Sequence, residues 1–200
     1  MDDFDIWFEK SLIKAKTNSI KEKQQYNESL ITQEYLKSIL HYDIETDIWT
    51  WIVNKSLAVP KGQQAGWESG SGYRYVTINN TNYLLHRLAY LYVKGTWPAN
   101  DLDHINRIKN KNKQINLREA NRSQNGANRE KYANNTSGFK GVSYNKRDKK
   151  IVAQIAVRNR HIHLGYFSNT LEAAVAYDKA AIQYFGEFAV TNFPKENYTI

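Results

Sequence analysis

The sequence predicts an α+β fold of two modest modules, on three observations. Strand-like runs come in clusters, Ile48–Val53 with Tyr73–Ile78 and later Phe139–Asn145, Ile151–Val157 and Arg160–Phe167, instead of alternating singly with helices. Apolar helical patterns follow each cluster, at Leu84–Lys94 and Thr170–Phe185. A polar stretch, Ala133-Asn134-Asn135-Thr136, separates the two groups. The 200 residues, 41% hydrophobic and 13% aromatic, hold material for two small cores.

Composition removes several functional classes. With no cysteine there is no disulfide and no thiolate zinc site, so any metal must be held by oxygen or histidine. No run approaches the roughly 18 apolar residues of a membrane span. The start, Met1-Asp2-Asp3-Phe4-Asp5, is acidic where a signal peptide is basic, so a soluble intracellular protein is expected. The net charge of +8 is unevenly spread: residues 1–85 carry 9 Lys/Arg against 11 Asp/Glu, residues 86–135 carry 10 against 4, and residues 137–194 carry 8 against 4. A phosphate backbone suits such a field best, because Lys and Arg displace its condensed counterions. A merely solubilising surface is the alternative.

In chain order, Phe4, Trp7, Phe8, Leu12 and Ala15 sit at helical spacing and the polar run Lys16–Asn27 reads as a loose connection, which makes 1–29 a helical extension. Thr32 can cap a helix running to Leu40. Ile48–Val53 and Tyr73–Ile78 are β-branched and aromatic, hence strands, with a long glycine-marked turn region between them. Asn79-Asn80 can take the positive φ of a tight hairpin before Thr81–Leu85 returns. Leu84–Lys94 is apolar nearly all round, which predicts a buried helix stopped by Gly95 and Pro98. Its Arg87 either meets a phosphate near the site or pairs with a carboxylate; His86 reads as packed.

Residues 103–125 carry the chemistry. Asp103 directly precedes His104, and a basic, amide-rich loop with Arg107 and Lys109 follows. Then come Asn116-Leu117-Arg118 and Asn125, the last placed early in a predicted helix that runs on to Tyr132. Phosphodiester hydrolysis needs a water deprotonated on one side of phosphorus and an anionic oxygen stabilised on the other, tasks suited to a neutral imidazole and a divalent cation. Neighbours on an extended strand point to opposite faces, so Asp103 and His104 suit divided roles. Asp103 and Asn125 offer the oxygen that Mg²⁺ prefers and leave positions for water and phosphate.

That order of residues resembles the HNH nucleases. Thr32–Leu40, Tyr42–Thr46, Leu85–Ala89 and Gly95–Pro98 are similar to the flanks of the phage-type members, so the resemblance covers roughly 30–130. It implies a ββα-metal (His-Me finger) core. His104 would be the general base, Asp103 and Asn125 would hold one Mg²⁺ (or Mn²⁺) per site, and Asn116 would pin the loop through backbone hydrogen bonds. Arg87, Arg107, Lys109 and Arg118 would face DNA.

Beyond the polar stretch, three strands and a helix form a second unit. Asn169 with Glu172 makes a candidate capping box, and Gly186 closes the far end of the helix. Gly138–Val142, Ala153-Gln154-Ile155, Leu164–Phe167, Glu172–Ala181, Phe185-Gly186 and Asn192-Phe193-Pro194 closely resemble the AP2 DNA-binding domain. The resemblance implies a three-stranded antiparallel sheet packed on one helix, its free face laid in the major groove. By position, Lys140, Ser143, Asn145, Gln154, His161 and His163 would make contacts, with Arg147, Arg158 and Arg160 close by. Plant members rely on arginine and tryptophan there; Ser143, Asn145, Ala156 and His163 depart from that set, so no target sequence follows. A protein-contact module is the alternative.

The expected organisation is a helical extension at 1–29, an HNH nuclease domain at 30–131, a linker at 132–136 and an AP2-like reader at 137–194, each module folding alone. The expected function is metal-dependent endonuclease action on double-stranded DNA, of phage or homing type. It would act as a monomer in the bacterial cytoplasm, with no membrane and no small-molecule cofactor. A DNA-binding regulator with a lapsed nuclease site is the alternative.

Overall fold

The computed structural model describes residues 3–198, with side chains from residue 16 onward. The apolar pattern from Phe4 to Ala15 therefore lies outside the described side chains. Two compact units emerge: one holds the chain up to Pro98 together with Asn110–Gln114, the other holds Ala99–Lys109 and Ile115 onward.

In the first unit, helix α1 (Asp3–Ser29) runs straight through Lys16–Asn27, which the sequence marked as a loose connection. Lys, Gln and Glu lose little side-chain freedom in a helix, and no Gly or Pro interrupts them. Helix α2 (Gln33–Ile39) starts where expected, the Thr32 hydroxyl accepting from the Tyr35 N–H at 3.1 Å. Strands β1 (Leu40–Asp43) and β2 (Ile48–Trp51) pair antiparallel, and β3 (Trp67–Glu68), β4 (Arg74–Ile78) and β5 (Thr81–Leu84) form a second sheet in that order. Asn79 and Asn80 turn the β4–β5 hairpin at φ 48° and 60°. Helix α3 (Leu85–Lys94) is buried on one broad face and ends at Gly95 with φ 80°. Tyr42 stacks on Trp49 at 4.5 Å, and both meet the Tyr92 ring edge-on. The Asp47 carboxylate accepts from the Asn112 N–H at 2.7 Å and the Tyr42 hydroxyl donates to the Asn112 carbonyl at 3.1 Å, which is why 110–114 belongs to this unit.

In the second unit, β6 (Asp101–His104) and β7 (Leu117–Ala120) form an antiparallel hairpin, followed by the short helix α4 (Arg122–Ala127). The Asn121 side chain and Gln124 cap α4 reciprocally, a box the sequence reading passed over. The expected helix to Tyr132 stops at Ala127. Strands β8 (Val142–Asn145), β9 (Lys150–Val157) and β10 (Arg160–Phe167) make an antiparallel sheet in the order β10-β9-β8, with helix α5 (Thr170–Phe185) packed across it. Small residues let α5 approach: Ala153, Ala173 and Ala174 are fully enclosed. Gly141, at φ 76°, is required there, since any Cβ would overlap the Tyr177 ring. Buried Asp178 accepts from the backbone N–H groups of Asn192 and Phe193 and from the Tyr198 hydroxyl at 2.7–2.9 Å, tying the C-terminal segment to α5.

One apolar cluster joins Ala120 and Ala127 of the hairpin–helix segment to Ile155, Tyr177, Ala180, Ala181, Phe185, Phe188 and Ala189. The modules expected on either side of 132–136 thus share buried apolar surface, which severing them would open to water. Among the described residues, no helix is long and apolar enough to cross a membrane.

Candidate active site and DNA interface

The β6–β7 register pairs Asp103 with Arg118 and His104 with Leu117. Directly opposed residues put their side chains on the same face, so Asp103 meets Arg118 and His104 lies on the other. Both are almost fully buried, at 4% and 5% exposure. The Arg118 Nε donates to Asp103 Oδ2 at 3.0 Å and Nη2 lies 3.0 Å from the same oxygen. The Asn128 amide donates to Oδ1 at 2.8 Å and Oδ2 at 2.9 Å, and to the His104 carbonyl at 2.8 Å.

Past His104 the backbone reverses. The Arg107 N–H donates to the His104 carbonyl at 2.8 Å, with Arg107 itself at φ 64°. The Asn116 Oδ1 accepts from the Asn106 N–H at 3.0 Å, its Nδ2 donates to the Asn106 side-chain oxygen at 3.0 Å, and the Ile105 N–H donates to the Asn116 carbonyl at 2.9 Å. Asn116 thus closes a small loop immediately after the histidine.

Helix α4 packs on β6 and β7. Asn125 is half-buried in its last turn, and Asn128, three residues on and so on the same side of the helix, reaches Asp103. Sequence reasoning missed Asn128; its spacing from Asn125 was the available signal. Among the described residues, no group of three or more His, Cys, Asp or Glu could hold a metal. A metal would thus rely on Asp103 and a side-chain amide. The Asp103 carboxylate fits: Oδ2 takes all the Arg118 contacts, whereas Oδ1 has, among the described residues, the Asn128 amide alone and keeps lone-pair capacity. Mg²⁺ is commonly held by one or two protein oxygens with several waters retained.

Several residues expected on DNA are placed elsewhere. Arg87 is buried on Glu28, its Nε donating at 2.6 Å and Nη2 at 2.9 Å, so the carboxylate-pairing alternative holds. Arg118 is taken by Asp103, lies 3.6 Å from the Glu187 carboxylate and stacks 3.8 Å from the Phe188 ring centre. Lys140 donates to the carbonyls of Ala127 and Arg129, both at 2.6 Å, and burial with the nearby Arg107 charge pushes its ammonium down to about 8. That clamp sits where α4 ends. Asn145 closes the β8–β9 turn, accepting from the Arg147 and Asp148 N–H groups and donating to the Asp148 carboxylate.

The others remain outward. Arg107 is partly exposed and pairs with Glu130 at 3.2 Å, and Lys109 is exposed on the same loop. The sheet register places Ser143, Gln154, His161 and His163 on the face away from α5, with Lys150 lying over the Tyr166 ring. Arg147 is exposed, Arg158 lies with Asn159 in the two-residue β9–β10 turn at φ 48° and 65°, and Arg160 opens β10. A cleft of about 610 Å³ runs from this face to α4, lined by Arg122, Arg129, Ser143, Gln154 and His161.

The hairpin, the latched loop and the capped helix occupy a stretch with a recognisable relative. Residues 83–127 match the HNH endonuclease family. The HNH segment thus takes in α3, β6, β7 and α4. A separate stretch is similar to plant AP2/ERF proteins. It is 39% identical over 71 residues to APETALA2-like protein 2 of Oryza sativa, in both the indica and japonica subspecies. It is 38% identical over 69 residues to an ethylene-responsive transcription factor of Arabidopsis thaliana. In each case 34% of this chain covers 16% of the relative.

Proposed function

We propose that the chain is a metal-dependent endonuclease that hydrolyses phosphodiester bonds in double-stranded DNA, the HNH segment (within 30–131) acting on the backbone and the C-terminal sheet (within 137–194) reading the duplex. His104 is the general base that takes the proton of the attacking water. Asn116 is a positioning residue that keeps the loop after His104 closed. Asp103 and the Asn125 amide would hold one Mg²⁺ or Mn²⁺, which when bound stabilises charge on the leaving oxygen. Arg107 and Lys109, with Arg147, Arg158 and Arg160, meet phosphates, while Ser143, Gln154, His161 and His163 meet groove edges. A phage-encoded, homing-type enzyme acting as a monomer is the setting this reading favours.

The observation that carries the reading is the latch: Asn116 ties Asn106 down beside a strand that ends in Asp103-His104. DNA binding alone has no need of a closed loop behind a histidine. Incubation with supercoiled DNA, with and without Mg²⁺, tests it; relaxed or linear product that appears only with metal is the expected result, and full activity in excess EDTA would rule out metal catalysis.

A second reading, a DNA-binding regulator with a lapsed site, draws on the Arg118–Asp103 ion pair, which sets a cation against the proposed ligand. Duplex binding without cleavage under any divalent ion would favour it.

A further inference from the structure

We infer that the C-terminal module completes the hydrolytic site, with Phe188 as a positioning residue that acts on Asp103 through Arg118; the inference rests on the nuclease reading above. Arg118 is the link. Its guanidinium holds Asp103 Oδ2 through Nε and Nη2, both at 3.0 Å, while its Cζ lies over the Phe188 ring, 3.8 Å from the ring centre. Its Nη1 donates to the Glu187 carbonyl at 3.3 Å and lies 3.6 Å from the Glu187 carboxylate. Phe188 and Glu187 belong to the single turn of 3-10 helix, Gly186–Phe188, that follows α5.

The arrangement has a chemical consequence. Arginine is long and flexible, and a guanidinium near a phosphodiester would otherwise be drawn to phosphate. Stacking on an aromatic face and pairing with a carboxylate keep it on Asp103. The Arg118 contacts all fall on Oδ2, so Arg118 fixes the rotation of the carboxylate and leaves Oδ1 the less engaged oxygen. Phe188 is itself buried in the cluster that holds Ala120 and Ala127, so its position relative to the hairpin is set by core packing and not by the 132–136 segment.

The test uses the full chain and compares Phe188→Leu, which fills the space without a ring, with Phe188→Tyr, which keeps the ring. Three quantities are read: duplex affinity, cleavage rate at saturating DNA, and Mn²⁺ affinity by electron paramagnetic resonance without DNA. Phe188→Leu should bind duplex as the parent does, cut at least about 10-fold more slowly and bind Mn²⁺ more weakly, since small displacements of catalytic groups are costly. Phe188→Tyr should restore both. A folded Phe188→Leu protein that cuts and binds Mn²⁺ like the parent overturns the inference. Should that variant melt below the assay temperature, Glu187→Gln, at an exposed side chain, must lower both readings by about 3-fold or the inference fails. A parent chain that binds duplex yet cuts nothing removes the nuclease reading and this inference together, whereas a parent that cuts while Phe188→Leu cuts equally well removes this inference alone.

Discussion

Asp103 carries the heaviest electrostatic load in the site, a buried carboxylate facing a half-buried guanidinium and an amide. Breaking such a pair from one side leaves an uncompensated buried charge, at a typical cost of about 3–5 kcal/mol. Arg118→Met and Asp103→Asn should therefore each lower stability by several degrees in thermal melting, the second because it strands the Arg118 guanidinium and sets an amide donor against that of Asn128, and Asp103→Asn should also abolish cleavage. His104→Ala should leave duplex affinity intact in gel shifts and slow cleavage by about 10²–10⁴-fold, the range typical of a removed general base. Parental cleavage by that variant would sink the assigned role. Asn125→Asp keeps an oxygen at the proposed metal position and should retain Mg²⁺-dependent cutting, while Asn125→Ala should demand far more metal.

At the scale of elements, α4 is the clearest case of structure held from both ends. Six residues are too few to be stable alone, and the Asn121–Gln124 box at one end and the Lys140 ammonium at the other supply the missing partners. Asn121→Ala should cost about 1 kcal/mol, read as a lower denaturation midpoint. Lys140 adds a pH signature. Its folded pKa of about 8 lies below the ordinary value, so between roughly pH 8 and ~10.4 the unfolded chain binds more protons than the folded one, and stability should rise with pH across that window. Below it the burial of a charged amine is a constant burden. Melting curves from pH 7 to pH 10 should show this rising component in the parent and not in Lys140→Met.

At the scale of the chain, truncation tests the shared cluster. Residues 1–131 retain Asp103, His104, Asn116 and Asn125 but lose Ile155, Tyr177, Phe185 and Phe188, which cover Ala120 and Ala127. That fragment should lack cooperative melting in its 99–131 portion and cut no DNA, in contrast to a slow but active nuclease freed of its reader. The outward charges give a second expectation: because Arg107, Lys109, Arg147, Arg158 and Arg160 are spread over loops and turns, duplex affinity should fall steeply with salt. Gln154→Ala should alter which sequences are preferred, while Arg158→Ala should weaken all alike.

Much of this was legible in order and spacing. Thr32, the Asn79-Asn80 hairpin, Gly95, α5 with its Asn169 cap and the Arg160–Phe167 strand are local decisions, fixed by capping groups, positive-φ residues and apolar periodicity within a few residues. The sequence by itself also marked Asp103, His104 and Asn116 as one group, because strand, loop and return strand keep them close along the chain. Other features depended on partners far away. That Arg87 turns to Glu28, that Arg118 pairs with Asp103 and lies over Phe188, that Lys140 closes α4 and that Asn128 reaches Asp103 are contacts between residues 11 to 70 positions apart. A long cationic side chain reads the same in sequence whether it ends on phosphate, carboxylate or carbonyl, and only the packing that removes water from one of those choices decides which is taken.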